Sequence, residues 1–336
     1  MVDGLAASTG PEMDSPNDTA DDMGEWDSYE TCGGLCIGLW MATSLLILLC
    51  NSTCLVLLHK VRGFNKPTVI FLKSLTIADL ILGLSFYAPM VGVYASGGRW
   101  PFGMAGCYLQ AFLIRTVLPM TAVSILLVTV DRYTAIVHPM QYEAWLSPWR
   151  ARLLTCLLWA LCLSYGFISL LMKNWQAEYS PHYLICTIGK FGESSSTLTL
   201  IVMSVVVLLI VTAMYVQILL VARRHAAHIA HHRPSVTSFG STNTPQAPSS
   251  PNRKSFTTVF IITMALLIGW LPSVILGMTE HAAKPSLLLV NLTQLPLASV
   301  SWLNVVVYYI RNRAFRETAK ELYSKLLTNF KGCCQK

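Results

Sequence analysis

The chain is written as long apolar runs separated by short polar stretches. Seven runs reach roughly 20 residues, the length a helix needs to cross a hydrocarbon core about 30 Å thick. They extend from Ile37 to His59, Thr68 to Tyr94, Met104 to Val137, Arg152 to Met172, Thr197 to Val221, Thr257 to Met278 and Leu287 to Tyr309. The pattern predicts an all-α membrane protein, a bundle of seven transmembrane helices over 35–310. Past the last run, Phe315, Ala319, Leu322, Leu326 and Leu327 share one helical face while Arg316, Lys320 and Lys325 lie elsewhere. That spacing predicts an amphipathic helix lying on the membrane surface within a short tail, 311–336.

Composition agrees with lipid as solvent. With 54% hydrophobic and 12% charged residues among 336, too little polar side chain is present to cover a soluble globule. The distribution of charge predicts topology. Lys60, Arg62 and Lys66 after the first run, Arg150 and Arg152, Arg223 and Arg224, Arg253 and Lys254, and the tail from Arg311 are basic, whereas Met1 to Gly34 holds no Lys or Arg. Basic loops stay inside, so the N-terminus is expected outside and the C-terminus in the cytoplasm, at the plasma membrane. The net charge of +7 then reflects attraction to anionic inner-leaflet lipid and not nucleic-acid binding. No basic start and apolar core mark a cleavable leader in the first 30 residues.

The segments between runs carry fewer signals. Residues 1–34 are acidic and rich in Ser, Gly and Pro, which predicts a disordered tail, and Asn17-Asp18-Thr19 is a glycosylation acceptor within it. The matches at Asn51 and Asn291 fall in or beside spans and read as accidental. Residues 225–254 form a flexible cytoplasmic loop whose His225, His228, His231 and His232 lack thiolate or carboxylate company, so a solvated extension of span five is preferred to a metal site. Cys107 and Cys186 both face an oxidising compartment and can pair. Cys32 and Cys36 allow a local bridge or separate fates, and Cys333 with Cys334 follow a basic amphipathic stretch suited to palmitoylation.

Ionisable groups inside hydrocarbon are costly, and so each one asks for a role. Asp79 sits near the middle of span two, with Asn51, Thr121, Ser301 and Asn304 at comparable depth. Together these can hydrogen-bond a buried carboxylate or hold a monovalent cation with water. Asp131-Arg132-Tyr133 ends span three, and Arg115 lies near its other end.

One landmark per span, in order, makes the chain resemble a rhodopsin-like G-protein-coupled receptor. The set is Asn51; Leu75 with Ala78-Asp79; Trp100-Pro101-Phe102-Gly103 and Cys107; Asp131-Arg132-Tyr133; Trp159; Tyr215; Trp270-Leu271-Pro272; and Asn304, Tyr308 and Phe315. The resemblance implies that an extracellular ligand shifts the packing of the helices. Pro272 would provide the bend about which span six swings, and Trp270 would sense the ligand. Arg132, released from Asp131, would meet a heterotrimeric G protein with Tyr215 and Tyr308 in support. Asp79, Thr121, Ser301 and Asn304 resemble the family's sodium pocket, with sodium as an allosteric ligand and no other cofactor. Arrestin and receptor kinases are the further partners implied; Trp159 reads as packing only.

Several positions depart from the family pattern. Val305 follows Asn304 where a proline is usual, Val207 replaces the proline of span five, Leu266 a phenylalanine of span six, and Asn252 an acid that pairs with the span-three arginine. The last change removes a lock and predicts raised basal activity. Ile114 stands where amine receptors place aspartate, and Ala298 where opsins place the retinal lysine, which excludes both ligand classes. Ile114, Arg115, Trp270 and Ala298 are the expected pocket positions. Arg115, with Glu280, His281 and Lys284 near the last outer loop, either meets a charged head group or, for Arg115, snorkels to the interface. Ala222-Arg223-Arg224-His225-Ala226 after a proline-free span five is similar to adenosine, melanocortin, cannabinoid and lysophospholipid receptors. A lipid or small peptide is the expected ligand. Enzyme chemistry finds no nucleophile, base or metal set at one depth; the alternative function is a non-signalling or constitutively active seven-span receptor or scaffold.

Overall fold

The computed structural model describes residues 16–61, 64–172, 177–188, 195–231, 268–276 and 285–333. Its elements are α1 (Pro16–Lys60), α2 (Lys66–Leu82), a π-helical turn (Gly83–Tyr87), α3 (Ala88–Ala95), α4 (Gly103–Val137), α5 (Tyr142–Trp145), α6 (Pro148–Met172), β1 (Ala177–Ser180), β2 (Ile185–Ile188), α7 (Ser195–His231), α8 (268–276), α9 (Leu287–Arg311) and α10 (Arg313–Cys333). Six helical stretches among the described residues are long and apolar enough to cross a membrane, Gly33–Lys60, Lys66–Ala95, Gly103–Val137, Pro148–Met172, Ile201–Val221 and Leu287–Ile310. They coincide with six of the seven expected spans. The seventh, span six, is described only over α8.

Lipid explains which side chains face out. α6 exposes Leu153, Leu157, Leu161 and Ile168, and α7 exposes Val202, Val206 and Leu209, an arrangement that water would penalise and hydrocarbon does not. α4 is the enclosed helix: 72% of its apolar window is buried, against 22% for α6 and 17% for α7. It packs on α2, α6, α7 and β2, so it runs through the bundle and joins whatever its two ends hold. One apolar core around Trp40, Tyr87, Met90 and Val290 fills the end nearer the Cys107–Cys186 disulfide; a second, around Phe71, Leu75, Tyr215 and Phe315, fills the Asp131 end.

Close helix approach depends on missing side chains. A Cβ on Gly166 would lie 2.3 Å from Thr116 Oγ1, and one on Gly269 would lie 2.2 Å from Val300 Cγ2. Small residues of this kind let helices meet in a membrane, where no water drives association.

One element differs from expectation. α1 begins at Pro16, so its helix takes in half of the segment whose composition suggests disorder. Proline suits a first helical turn. α9 is one continuous helix, in keeping with Val305 in place of a proline, and its own proline is Pro296, nearer the other end. Asn312 then breaks the chain and caps α10, its Oδ1 accepting from the Phe315 backbone N–H at 3.0 Å. Phe315 buries against the bundle while Glu317, Lys320 and Glu321 stay outward and Arg316 is half-buried, giving the amphipathic helix expected.

Candidate functional site

The wall of the cavity is shaped by a proline. Pro89 has no N–H to give the Ser85 carbonyl one helical turn earlier, and the helix loosens there into the π turn Gly83–Tyr87. Gln110 of α4 supplies the missing donor, Nε2 to Ser85 O at 3.0 Å, and its Oε1 accepts from the Cys186 N–H at 2.7 Å. One buried amide therefore ties span two, span three and the β hairpin together. The disulfide Cys107–Cys186 and a hydrogen bond from the Tyr179 hydroxyl to Gly98 O, 2.7 Å, hold the same hairpin across the bundle end.

Beneath the hairpin lies a cavity of about 160 Å³. Tyr183, Ile185 and Thr187 roof it, Leu82, Phe86, Ile114 and Leu118 wall it, and Trp270 and Leu297 contribute from α8 and α9. Ile114, Arg115 and Trp270 of the expected pocket are all in the lining. Ala298 is not: it is buried in the apolar core beside Trp40 and Tyr87, and Gln294 and Leu297 are the faces α9 presents. Arg115 is 4% exposed, which places it inside the bundle and not snorkelling to an interface. It hydrogen-bonds Tyr165 of α6.

Midway along the bundle, Asp79 is 1% exposed. Ser301 Oγ donates to its Oδ1 at 3.0 Å, and Asn51 Nδ2 donates to the Ser301 carbonyl at 3.3 Å and to Ile47 O at 3.0 Å. Asp79 Oδ2, Thr121 Oγ1 and Asn304 Nδ2 are buried and have no hydrogen-bond partner among the described residues. An orphan carboxylate oxygen with hydroxyls on neighbouring helices is a donor set that fits a hard monovalent cation, and the orphan amide N–H fits a water between them.

At the other end of α4, Asp131 is 1% exposed and saturated. Thr68 Oγ1 donates to its Oδ2 at 2.7 Å, the Tyr142 hydroxyl donates to its Oδ1 at 2.7 Å, and Arg132 pairs with it at 3.2 Å. Arg132 also donates to Thr68 Oγ1, 3.0 Å. Burial, and then the adjacent Asp131 carboxylate, raises the Tyr142 phenol above its ordinary pKa. Tyr133 turns aside onto His138. Tyr215 and Tyr308 pack in the apolar core at this end, with Tyr215 hydrogen-bonded to Thr129. Pro272 lies within α8, two residues past Trp270.

Trp159 packs as expected but also donates to Ser74 Oγ at 3.0 Å, which meets Ser124 Oγ at 3.2 Å. Asn291, the accidental glycosylation match, is 7% exposed: Trp40 and Tyr94 both donate to its Oδ1 at 2.9 Å. Asn17 falls on α1 and Cys333 ends α10. Leu266, Asn252, Glu280, His281, Lys284, His232 and Cys334 lie outside the described residues; Cys32 falls on α1, and Cys36, one turn on, is disulfide-bonded. Gln110, Thr68, Tyr142 and Gly269 were not picked out by sequence; Pro89 was the visible signal for the first, and nothing marked the others.

Membrane-crossing helices with a disulfide-pinned hairpin over a cavity at one end and an Asp-Arg pair at the other make a membrane helix bundle with a candidate site at each end. The chain belongs to the 7 transmembrane receptor (rhodopsin family), which matches residues 50–308. It is 25% identical to mouse probable G-protein coupled receptor 21 over 268 residues, 79% of this chain and 76% of the relative. It is 26% identical to the human histamine H2 receptor over 276 residues, 80% and 73% of the two chains, and 24% identical to melatonin receptor type 1A of Phodopus sungorus over 312 residues, 86% and 82%.

Proposed function

We propose that this receptor carries ligand binding at the hairpin-roofed cavity to a heterotrimeric G protein at the Asp131 end, through outward movement of the inner half of span six. The cavity faces the cell exterior and the basic loops and tail face the cytoplasm of the plasma membrane, in keeping with the positive-inside bias. The carrying observation is that α4 lines the cavity with Ile114 and Arg115 and ends in Asp131 and Arg132, so one enclosed helix contacts both partners. Trp270 lines the same cavity within two residues of Pro272, the place where span six lacks a helical hydrogen bond and can bend.

Asp131 holds Arg132 at rest, and the G protein competes for that guanidinium. Sodium at Asp79, with Thr121, Ser301 and Asn304, would favour the resting packing. The relatives include a histamine receptor, yet a cationic amine suits this cavity poorly: Ile114 is apolar and Arg115 carries the same charge. The apolar walls favour a lipid-like ligand over a peptide. Nucleotide exchange measured on a panel of G proteins, with wild type and Arg132→Ala, tests the reading. Exchange above receptor-free membranes with at least one partner, abolished by the substitution, is expected; no exchange with any partner would leave a non-signalling scaffold as the better account.

A further inference from the structure

We infer that the cavity takes a small amphiphile with an anionic group held by Arg115 and a hydrogen-bond donor held by Gln294. This rests on the reading of the cavity as the ligand site and deepens it to a chemical class. Three observations converge. First, Arg115 is the one charged side chain among the described residues lining the cavity, and it is buried. Keeping a guanidinium at that depth is expensive, and such a group in a membrane bundle marks a pathway or a ligand site more often than a packing role. A hydrogen bond with Tyr165 of α6 orients it at the cavity wall.

Second, Gln294 of α9 lines the same cavity with a buried Oε1 that accepts no hydrogen bond among the described residues. A buried acceptor left unmade costs about 1–3 kcal/mol, and a ligand hydroxyl or amide N–H removes that cost. Third, the remaining walls are chiefly Leu82, Phe86, Ile114, Leu118, Val274 and Leu297, which demand an apolar body. Size limits it: a cavity of about 150 Å³ accepts a benzene-sized molecule, and this one is about 160 Å³. A ring or short chain fits between the two polar points, while a long acyl chain requires the walls to part.

The anion can be a carboxylic acid from solution or the head of a membrane lipid. Binding of 3-phenylpropionate, its primary amide and 3-phenylpropylamine to purified full-length receptor in nanodiscs isolates head-group charge on one apolar body. Thermal stabilisation is read against concentration with no G protein present. The acid is expected to bind roughly tenfold or more tighter than the amide, as for a hydrogen bond to a charged group, and the amine not at all. In Arg115→Gln the acid and amide should converge, and Arg115→Lys should restore part of the preference. Adding a ring hydroxyl should tighten binding to wild type severalfold and not to Gln294→Leu.

Equal binding of acid and amide to wild type, preferential binding of the amine, or no binding by any probe would overturn the anion assignment, and because these comparisons are made on wild type they stand if Arg115→Gln fails to fold. A hydroxyl that helps Gln294→Leu as much as wild type would overturn the Gln294 half. An oleoyl lysophosphatidate that binds tighter than the aryl acid, with the same dependence on Arg115, would support the inference with a membrane lipid as its source. Anion binding without nucleotide exchange would sustain this inference while refuting the signalling function, and exchange with no anion preference would do the reverse.

Discussion

Replacing Asp79 by Asn probes the polar group at mid-bundle more directly than any other change. One Asp79 oxygen accepts from Ser301 at 3.0 Å, and the other is buried with no donor among the described residues. An orphan of that kind costs about 1–3 kcal/mol, and more when charged. A sodium ion or a bridging water would each relieve it, but only the ion makes stability depend on sodium. A site half-filled at about 15 mM sodium contributes RT ln(1 + 10), about 1.4 kcal/mol, at about 150 mM. For a chain of this length, with an unfolding entropy of about 0.7 kcal/mol/K, that raises the unfolding midpoint by about 2 °C. Asparagine keeps the acceptor for Ser301 and removes the charge, so the sodium increment should vanish while the fold persists. Thermal unfolding of purified receptor in sodium chloride against an equal concentration of choline chloride measures it. A wild-type midpoint indifferent to the cation, or an increment undiminished in Asp79→Asn, would refute the cation reading and leave water as the bridge.

Three further outcomes follow from particular contacts. Gln110→Ala leaves the Ser85 carbonyl and the Cys186 N–H without their partner, and should cost about 2–4 kcal/mol in thermal or denaturant stability while loosening the hairpin, seen as faster hydrogen exchange over β1 and β2. Gly269→Ala drives a methyl to 2.2 Å from Val300 Cγ2 and 3.1 Å from Pro296 O; the overpacking should cost about 1–3 kcal/mol, and Val300→Ala in the same chain should recover most of it. Tyr142→Phe removes a donor to a carboxylate, worth about 1.5–3 kcal/mol. Because the folded phenol titrates above its unfolded value of about 10, that stabilisation is complete below pH 10 and is lost as pH rises through the folded value. The midpoint gap between wild type and Tyr142→Phe should therefore hold steady to about pH 10 and shrink beyond it; a gap independent of alkaline pH would sink the assignment.

What sequence could and could not foretell divides by the range of the interaction. Spans are local, about 20 apolar residues each, and six of them lie where the runs place them. The Cys107–Cys186 bridge was also foreseeable, because only compartment and reactivity enter. Interactions between side chains far apart in the chain left no local trace. Thr68 and Tyr142 look like unremarkable residues at span ends, yet they sit 63 and 11 positions from the Asp131 they saturate. Asn291 matched a glycosylation pattern, and only the arrival of Trp40, 251 positions away, shows it as a buried junction.

The prolines occupy the middle ground, since each announces a missing N–H without saying what replaces it. At Pro89 the answer is Gln110 reaching the Ser85 carbonyl. Pro119 within α4 removes the donor that would serve the Arg115 carbonyl, and Pro296 within α9 does the same for Leu292. These sites lie at or near the cavity, whereas the Asp131 half of α4 and the stretch of α9 from Asn304 to Tyr308 contain no proline. The breaks in helical hydrogen bonding in these two spans are therefore concentrated beside the proposed ligand cavity, and their opposite halves keep an unbroken proline-free helix. A shift of the cavity walls can then be delivered to Arg132 and Tyr308 as movement of whole half-helices, without the proline that usually follows the span-seven asparagine.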